Sequence, residues 1–261
     1  MKWIIDYQNN NIFNDKYSGY VVHSFEYSTN CFNRFKEYEI KKCFSDIKLN
    51  GKESYLCVDK FIMENELDSF KKYLNDLNGL YDYLIFSDLA VLNIVNEKEY
   101  GKLLYDPKTL ISSSNEYSFY KSLNIDSFIA NEISLDEIKK ITGKGYKINM
   151  MVKGRALIMY SRRPLVSLYK EFSDNDNIVS KDDSYYYYLK EELRDEFYPC
   201  VENENGTFIF SDYIFNALDF IDELKDNLNI VRVSLDSFTK GDESIGFLSK
   251  SSILLKGDKN E

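Results

Sequence analysis

The sequence predicts an α/β protein: a (β/α) TIM-like barrel, closed or nearly closed, with a small β-hairpin element near its carboxyl end. Short, continuously apolar segments alternate with segments of helical periodicity, which is typical of parallel strands that crossover helices cover on both faces. Seven such apolar segments occur by residue 152 of the 261-residue chain, and an α/β barrel uses about 250 residues. This number of strands favours one barrel over a two-domain doubly wound sheet.

The predicted strands are short and rich in Ile, Val, Leu, Tyr or Phe. They are Trp3–Asp6, Gly19–Phe25, Ser54–Lys60, Asp82–Ser87, Lys102–Tyr105, Ser127–Ala130 and Lys147–Val152. Between them, Glu64–Leu77 places apolar side chains on one helical face and charged side chains on the other. Another helix begins after Ser134, because Ser134 and Glu137 have the spacing of a capping box.

The character of the chain changes after about residue 172. Asp174–Ser184 is polar and acidic, as expected for a surface loop, and Asn205 and Gly206 form a turn signal that predicts a β-hairpin. Phe215–Leu228 has the pattern of a helix, and Ile230–Leu235 that of a further strand, which could close the barrel. We therefore divide the chain into a barrel core (1–172), a linker with a hairpin insertion (173–212), a closing helix and strand (213–240) and a tail (241–261).

Composition narrows the expected partners and location. Lys and Arg number 33 and Asp and Glu number 43, which gives a net charge of −10. Such a chain repels phosphate backbones and anionic membranes at long range, so we expect neither RNA nor a membrane as a partner. No segment approaches the roughly 18 apolar residues of a membrane span, and the amino terminus has no signal-peptide core. The four cysteines include no CxxC pair, and we expect a cytoplasmic protein with reduced thiols.

A basic segment interrupts this acidic chain. Residues 139–170 contain nine Lys or Arg residues and no Asp or Glu, so the rest of the chain has a net charge of −19. Arg155, Arg162 and Arg163 are the strongest candidates for an anion site, because guanidinium groups bind carboxylate or phosphate bidentately. They also follow the seventh predicted strand, on the side where barrel enzymes place their active sites. The alternative is that the basic residues pair with the acidic helices around them.

Carboxylates at predicted strand ends are the candidates for acid–base chemistry. In a barrel they would project toward one rim, where carboxylates with separated pKa values can transfer protons. Asp88, Asp106 and Glu132 are the predicted catalytic residues, and Asp59 belongs to the same group. The alternatives are that Asp88 caps the following helix and that Asp106 belongs to a turn with Pro107.

The histidine and the cysteines give weaker signals. His23 is the only histidine and lies at the end of the second predicted strand, where it could act as a general base, although a lone histidine is more often structural. No partners for a Ser–His–Asp triad or a zinc site are identifiable. Cys43 falls in a helical pattern and Cys57 inside a strand, where buried thiols are routine. We predict no metal ligands from these residues.

One segment carries a family resemblance. The stretch VKGRALIMYSRRPLVS (Val152–Ser167) resembles the central motif of the collagenase-like peptidase family, peptidase family U32. The residues that match it are Gly154, Tyr160, Ser161, Arg163 and Ser167. The resemblance continues in order and spacing from about residue 55 to 238. It implies a barrel-like α/β core with a small β element, a cytoplasmic location in a bacterium, and peptidase activity without an established set of catalytic residues.

Other members of that family serve as RNA-hydroxylation factors or quinone-hydroxylation accessories, and many hold an iron–sulfur cluster through four cysteines. This chain has Leu157 and Pro164 at the two motif cysteines, and Lys153 where many relatives carry His. Neither Leu nor Pro supplies a ligand, so we expect no iron–sulfur cluster, and the need for a divalent metal stays open. The predicted substrate-binding residues of the motif are Lys153, Arg155, Ser161, Arg162 and Arg163.

Three functions remain after these observations. The first is a divergent hydrolase of peptide bonds that grips a peptide or another anionic substrate with the motif arginines. The second is a non-catalytic binding or accessory protein that works with a cluster-bearing paralogue. The third is an RNA-modification factor that needs no cluster of its own, which the net charge of −10 disfavours.

Overall fold

The computed structural model describes residues 1–8, 13–108, 110–131, 133–173, 186–190, 192–193, 195–235, 244–247 and 255–257. The strands are β1 (Lys2–Asp6), β2 (Gly19–Ser24), β3 (Arg34–Phe35), β4 (Glu53–Val58), β5 (Tyr83–Phe86), β6 (Leu103–Tyr105), β7 (Asp126–Ser127), β8 (Ile148–Ser161), β9 (Tyr186–Lys190), β10 (Phe197–Asn203), β11 (Gly206–Asn216), β12 (Leu228–Val233), β13 (Ser244–Phe247) and β14 (Leu255–Gly257). The α-helices are α1 (Glu37–Leu49), α2 (Leu67–Leu77), α3 (Ala90–Ile94), α4 (Ser114–Ser122), α5 (Leu135–Gly143), α6 (Leu165–Ser173) and α7 (Ile221–Leu224).

Eight strands run parallel in the order β8, β12, β1, β2, β4, β5, β6, β7. The two ends of this row meet at Phe128, which forms a single parallel bridge to Asn149 of β8, while the amide of Ile129 donates to the Asn149 carbonyl over 2.9 Å. The sheet is therefore a TIM-like barrel that one seam leaves incomplete, as the sequence predicts. The strand predicted to close it, β12, lies between β8 and β1.

The barrel interior is a packed apolar layer. One cluster of buried side chains draws on six of the parallel strands and on the residue that follows β7, as expected when inward-facing positions of neighbouring strands meet at the axis. Its members are Ile4, Val21, Tyr55, Cys57, Ile85, Leu104, Phe128 and Ile230. This layer closes the barrel below the carboxyl ends of its strands, so polar groups gather above it.

The helices cover the outside of the barrel with a second, larger core. In α2 the buried side chains include Phe70, Leu74 and Leu77, which are on the face that the sequence predicts. Ser134 caps α5 by accepting from the Glu137 amide over 3.3 Å. Glu137 does not return this bond; its carboxylate accepts from the Ser114 amide and joins α4 to α5. No helix in the described ranges is long and apolar enough to cross a membrane.

A β-hairpin element extends from the long strand β8. The second half of β8 pairs antiparallel with β11, and β10 and β9 add to that edge. The turn between β10 and β11 contains Asn205 and ends at Gly206, as the sequence predicts. Gly206 has φ +125°, and a Cβ atom there would lie 2.0 Å from the Ser161 carbonyl oxygen, so only glycine fits.

The region after the hairpin differs from the sequence prediction. The predicted helix over Phe215–Leu228 is wrong at its start, because β11 continues to Asn216 and only Ile221–Leu224 is α-helical. Phe215 is fully buried and pairs with Gly154, so sheet pairing overrides the local helical pattern. Within the predicted tail, β13 pairs with β11. The predicted surface loop Asp174–Ser184 lies outside the described residues.

Candidate functional site

Charged side chains gather at the carboxyl ends of the barrel strands. Parallel strands deliver their ends to the same rim, so residues that are distant in sequence become neighbours. Each of the five side chains at strand ends is at most 8% exposed. With Lys108, which follows β6 closely, they form a set that we call the mouth network. Its members are Asp6, His23, Asp59, Asp106, Lys108 and Arg232.

Two cations connect the three carboxylates into one chain of ion pairs. Arg232 Nη2 lies 3.0 Å from Asp6 Oδ1, and Arg232 Nη1 lies 3.4 Å from Asp106 Oδ2. Lys108 Nζ lies 2.7 Å from the same Asp106 oxygen and 2.8 Å from Asp59 Oδ2. Since Arg232 comes from β12 and Lys108 from the loop after β6, the network ties opposite parts of the rim together.

The ion pairs hold Asp6, Asp59 and Lys108 in their charged forms. Burial alone would raise the pKa of the Asp6 and Asp59 carboxyls, but Arg232 and His23 keep the pKa of Asp6 well below its usual range, and Lys108 does the same for Asp59. Burial opposes the charge of Lys108, yet Asp106 and Asp59 raise the pKa of its ammonium above the usual value. At neutral pH Asp6, Asp59 and Lys108 are therefore fixed charges rather than proton carriers.

The hydrogen bonds around Ser28 determine which neighbour its hydroxyl proton faces. Ser28 Oγ lies 2.8 Å from Asp59 Oδ1, and an ionised carboxylate only accepts, so the hydroxyl donates to Asp59. The same oxygen accepts from the Asn30 amide over 3.1 Å. His23 Nδ1, at 3.0 Å, must therefore donate to Ser28. His23 Nε2 faces Asp6 Oδ1 at 3.0 Å and Arg232 Nη2 at 3.2 Å.

Two cavities open at this rim. The first has a volume of about 80 Å³ and is lined by His23, Asp59, Asp106, Lys108, Arg232 and Arg155, together with apolar side chains. Arg155 projects from β8, is 8% exposed, and donates from Nη1 to the Ser211 carbonyl over 2.8 Å. A single water needs about 10–15 Å³ on this scale, so the cavity has room for a small polar group and not for an extended peptide.

Among the predicted catalytic carboxylates, the structure places Asp106 in the first cavity and Asp88 outside it. Asp88 Oδ1 accepts from the Ala90 amide over 2.8 Å and Oδ2 from the Ile62 amide over 2.7 Å. Asp88 thus binds the first amide of α3 and anchors the loop after β4, which is close to the capping role considered from the sequence. Glu132 lies outside the described residues.

Of the predicted substrate-binding residues, Arg155 alone lines the first cavity. Arg162 Nη2 lies 2.9 Å from Glu66 Oε1, so this arginine pairs with an acidic neighbour. Arg163 and Lys153 are exposed. Ser161 Oγ accepts from the Arg163 amide over 3.1 Å. The three arginines therefore do not assemble into one anion clamp.

The remaining motif residues shape the fold locally. Gly154 has φ +151°, and a Cβ atom there would lie 2.8 Å from the Ser234 Cβ, so the close approach of β8 to the chain after β12 needs glycine. Ser167 lies in the first turn of α6, where its amide and hydroxyl donate to the buried Glu202 carboxylate. A carboxylate at a helix amino terminus satisfies unpaired amides and complements the helix dipole.

The surroundings of one possible metal-ligand group disfavour a cation. Within the described ranges, His23, Cys57 and Asp59 are the group of possible ligands whose donor atoms lie within 4.8 Å of one another. Lys108 and Arg232 already neutralise the carboxylates around this group and would repel a cation. Burial raises the pKa of the Cys57 thiol well above its usual value, so the thiolate ligand form is disfavoured.

The cysteines also lack the arrangement that an iron–sulfur cluster needs. Cys31, Cys43 and Cys200 are the other three cysteines, and none of them joins Cys57 in a common group of ligands. Leu157, at one of the family's cysteine positions, lines the first cavity with its side chain. A cluster held by four thiolates has no matching ligand set here.

Sequence reasoning missed three members of the mouth network. Asp6 is the last residue of a correctly predicted strand, so the rule that selects strand-end carboxylates could have found it. Arg232 lies inside the predicted closing strand, where an arginine in an otherwise apolar run was the available signal. Lys108 gives no sequence signal, because its position depends on the turn after Asp106.

Known proteins resemble this chain over most of its length. The sequence profile described as Peptidase family U32 matches residues 17–245. The chain is 25% identical over 228 residues to the tRNA hydroxylation protein P2 of Bacillus subtilis (strain 168), which covers 85% of this chain and 71% of that protein. The solved structure of the U32 peptidase Mk0906 shares the fold, with a TM-score of 0.52 and 13% identity over 92% of this chain and 94% of the other. Because the profile spans nearly the whole described barrel and hairpin element, the chain belongs to peptidase family U32.

Proposed function

We propose that this protein is a binding component of a tRNA-hydroxylation system in the cytoplasm, and that it holds a small polar group of its substrate at the barrel mouth. The observation that carries the proposal is the likeness to the tRNA hydroxylation protein P2 over 85% of the chain. A likeness of that extent must include most of the barrel strands that bear the mouth network.

The charge balance of the mouth supports this function. Two carboxylates, Asp59 and Asp106, and three cations, Arg155, Lys108 and Arg232, line the first cavity. Outside the lining, Asp6 pairs with Arg232. The mouth thus lacks the excess negative charge of the whole chain and does not repel a nucleotide. Fixed charges of both signs suit a ligand that offers hydrogen-bond donors and acceptors.

The chain acts as a binding component because its cysteines supply no cluster ligand set. We propose that a second protein, a cluster-bearing paralogue, provides the redox chemistry. This chain would then orient the substrate, with Asp106 and Arg232 fixing the polar group and the barrel floor excluding water from below.

Deleting the gene in the organism that encodes it tests the proposal. We expect tRNA digests from the deletion strain to lack one nucleoside that carries an additional oxygen atom, as measured by liquid chromatography and mass spectrometry. Wild-type protein should restore it, and Arg232→Gln should not, while Lys98→Gln at an exposed site serves as the matched control. Unchanged tRNA nucleosides in the deletion strain would refute the function.

Peptide hydrolysis is the second candidate, favoured by one observation. Ser28, His23 and Asp6 form a hydrogen-bonded series with distances of 3.0 Å and 3.0 Å, in the order of a hydrolase triad. The Ser28 hydroxyl, however, is fully buried and donates to Asp59. Incubation with a mixed peptide library, with and without divalent metals, tests this candidate. Turnover that Ser28→Ala abolishes and Arg163→Ala reduces would favour the peptidase.

A further inference from the structure

A second cavity opens beside the mouth network and has a volume of about 130 Å³. Its lining combines apolar and aromatic side chains with polar ones. We call it the aromatic cleft. The apolar and aromatic lining residues are Phe61, Pro107, Leu157, Ile158, Met159 and Tyr160, and the polar ones are Thr29, Asp59, Ser87 and Lys108.

Two of the aromatic rings that line the cleft belong to a stack of three. The Tyr160 ring lies 4.9 Å from the Phe208 ring with an interplanar angle of 4°, and 5.6 Å from the Phe61 ring with an angle of 19°. Phe208 is fully buried, whereas Phe61 is 53% exposed. The stack therefore begins in the core of the hairpin element and ends at a ring that solvent reaches.

Arg162 holds the outer ring in place. Its Nη1 donates to the Phe61 carbonyl over 2.8 Å while the guanidinium pairs with Glu66, at the start of the helical segment that follows. Lys60, next to Phe61, also reaches Glu66, at 3.2 Å. An exposed phenylalanine whose carbonyl accepts from a salt-bridged arginine differs from a loosely held surface side chain. Arg162 is a positioning residue for Phe61.

Lys108 supplies the polar end of the aromatic cleft. Its backbone has φ +67°, an unfavourable conformation for a residue with a Cβ atom, and such strain often marks a functional position. Two of the three N–H groups of its ammonium face Asp59 and Asp106. In the described part of the chain no partner uses the third. Lys108 lines both cavities, and its third N–H group is therefore available to a ligand in either cavity.

We propose that the aromatic cleft binds one unpaired nucleobase of an RNA, with the base plane against Phe61 and an edge oxygen or nitrogen on Lys108. The proposal rests on the function proposed above and adds where the RNA is held. Single-stranded bases stack on aromatic side chains and use their edges for hydrogen bonds. A free anion would bring no surface for the rings and would meet the Asp59 carboxylate in the lining.

A short stem-loop RNA with 2-aminopurine in its loop tests the site, because stacking quenches the fluorescence of this base. We expect the full-length protein to quench it, and Phe61→Ala to weaken binding at least about fivefold, the smaller effect seen when a stacking ring is removed. Phe61→Trp should restore binding. Phe119→Ala, at a ring of similar exposure on α4, should leave binding unchanged. All titrations use one salt concentration, since salt weakens RNA binding in general.

The outcomes separate this site from the proposed function. Equal affinity of wild type and Phe61→Ala, or no quenching by the wild type, would overturn the aromatic cleft as a base site, whatever the tRNA digests show. Displacement of the RNA by an aromatic peptide with higher affinity would also overturn it in favour of a protein partner. Loss of the hydroxylated nucleoside in cells that express Phe61→Ala, with normal levels in Phe119→Ala, would support both proposals together.

Discussion

His23 Nδ1 donates a hydrogen bond to Ser28 Oγ over 3.0 Å, which is the reverse of the direction that a serine nucleophile needs. The direction follows from Asp59, whose ionised carboxylate accepts a hydrogen bond from the Ser28 hydroxyl. In a hydrolase the histidine accepts the serine proton, so the resting arrangement of these residues is structural. The triad-like order of Ser28, His23 and Asp6 is thus a consequence of a packed polar network.

Lys108 is expected to stabilise the fold through the mouth network. Lys108→Met leaves Asp59 and Asp106 without the cation between them, and an uncompensated buried carboxylate is costly. The Lys108 side chain is 26% exposed, so we expect a loss of about 2–4 kcal/mol in the free energy of unfolding, below the cost for a fully enclosed pair. Urea denaturation followed by circular dichroism measures it. Lys98→Met, at an exposed site, is the control, and equal losses in the two variants would contradict the role of Lys108.

Acid should unfold this protein through its buried carboxylates. The pKa values of Asp6 and Asp59 in the folded state lie below the value near 4 of an unfolded chain. Their ionised forms therefore stabilise the fold fully above about pH 5, and this contribution is lost as the pH falls below about 4. We expect the urea midpoint to drop steeply in that range.

A variant identifies which carboxylate is responsible. Asp59→Asn cannot take up the proton, so its stability should be lower at neutral pH and should depend less on pH below about 4. Asp68→Asn on the exposed face of α2 should keep the wild-type dependence. If the urea midpoint of Asp59→Asn fell with decreasing pH as steeply as that of the wild type, other groups would be the cause of the acid unfolding.

The hairpin turn requires glycine at one position. Gly206→Ala would place a Cβ atom 2.0 Å from the Ser161 carbonyl oxygen, at φ +125°, and should destabilise the protein by more than about 1 kcal/mol. Gly143→Ala, at the last residue of α5 with no atom within 4 Å of the added Cβ, should be neutral or stabilise by up to about 1 kcal/mol. Thermal or urea unfolding of the two variants compares them, and equal stabilities would disprove the steric argument.

The cysteines should be unreactive in the folded protein. Burial raises the pKa of Cys43 and Cys200 to about 12, and that of Cys31 and Cys57 above the usual range. Since the thiolate is the nucleophile, a chromogenic disulfide reagent at about pH 8 should label no thiol rapidly until urea unfolds the chain, when all four react. Rapid labelling of two or more thiols in the native protein would show that the sites are open.

The barrel strands were predictable because buried parallel strands leave a continuous apolar signal. Asp82–Ser87 was predicted where Tyr83–Phe86 is found, and the closing strand is displaced by two residues at each end. The predicted helix over Phe215–Leu228 failed where long-range pairing with Gly154 decided the conformation. Periodicity reports which side chains are apolar, and not which distant strand offers a free edge.

The candidate site was predictable only in part. Asp106 and Arg155 were selected as candidates and do line one cavity. Asp6 and Arg232, which contact each other, are 226 positions apart, and no local pattern connects them. Arg162 was expected at an anion site and instead fixes Phe61, because Glu66 approaches it from another strand–helix unit.

The sequence by itself determined the strand–helix alternation, the U32 motif and the lack of cysteines at the motif positions, since each is a property of residue order. The tertiary structure decided which charges neutralise one another, which way the Ser28 proton points and which ring ends the stack at Phe61. Hydrogen-bond direction and ion pairing depend on atoms that separate strands bring within about 3 Å of each other. Only closing the sheet around its axis creates those distances.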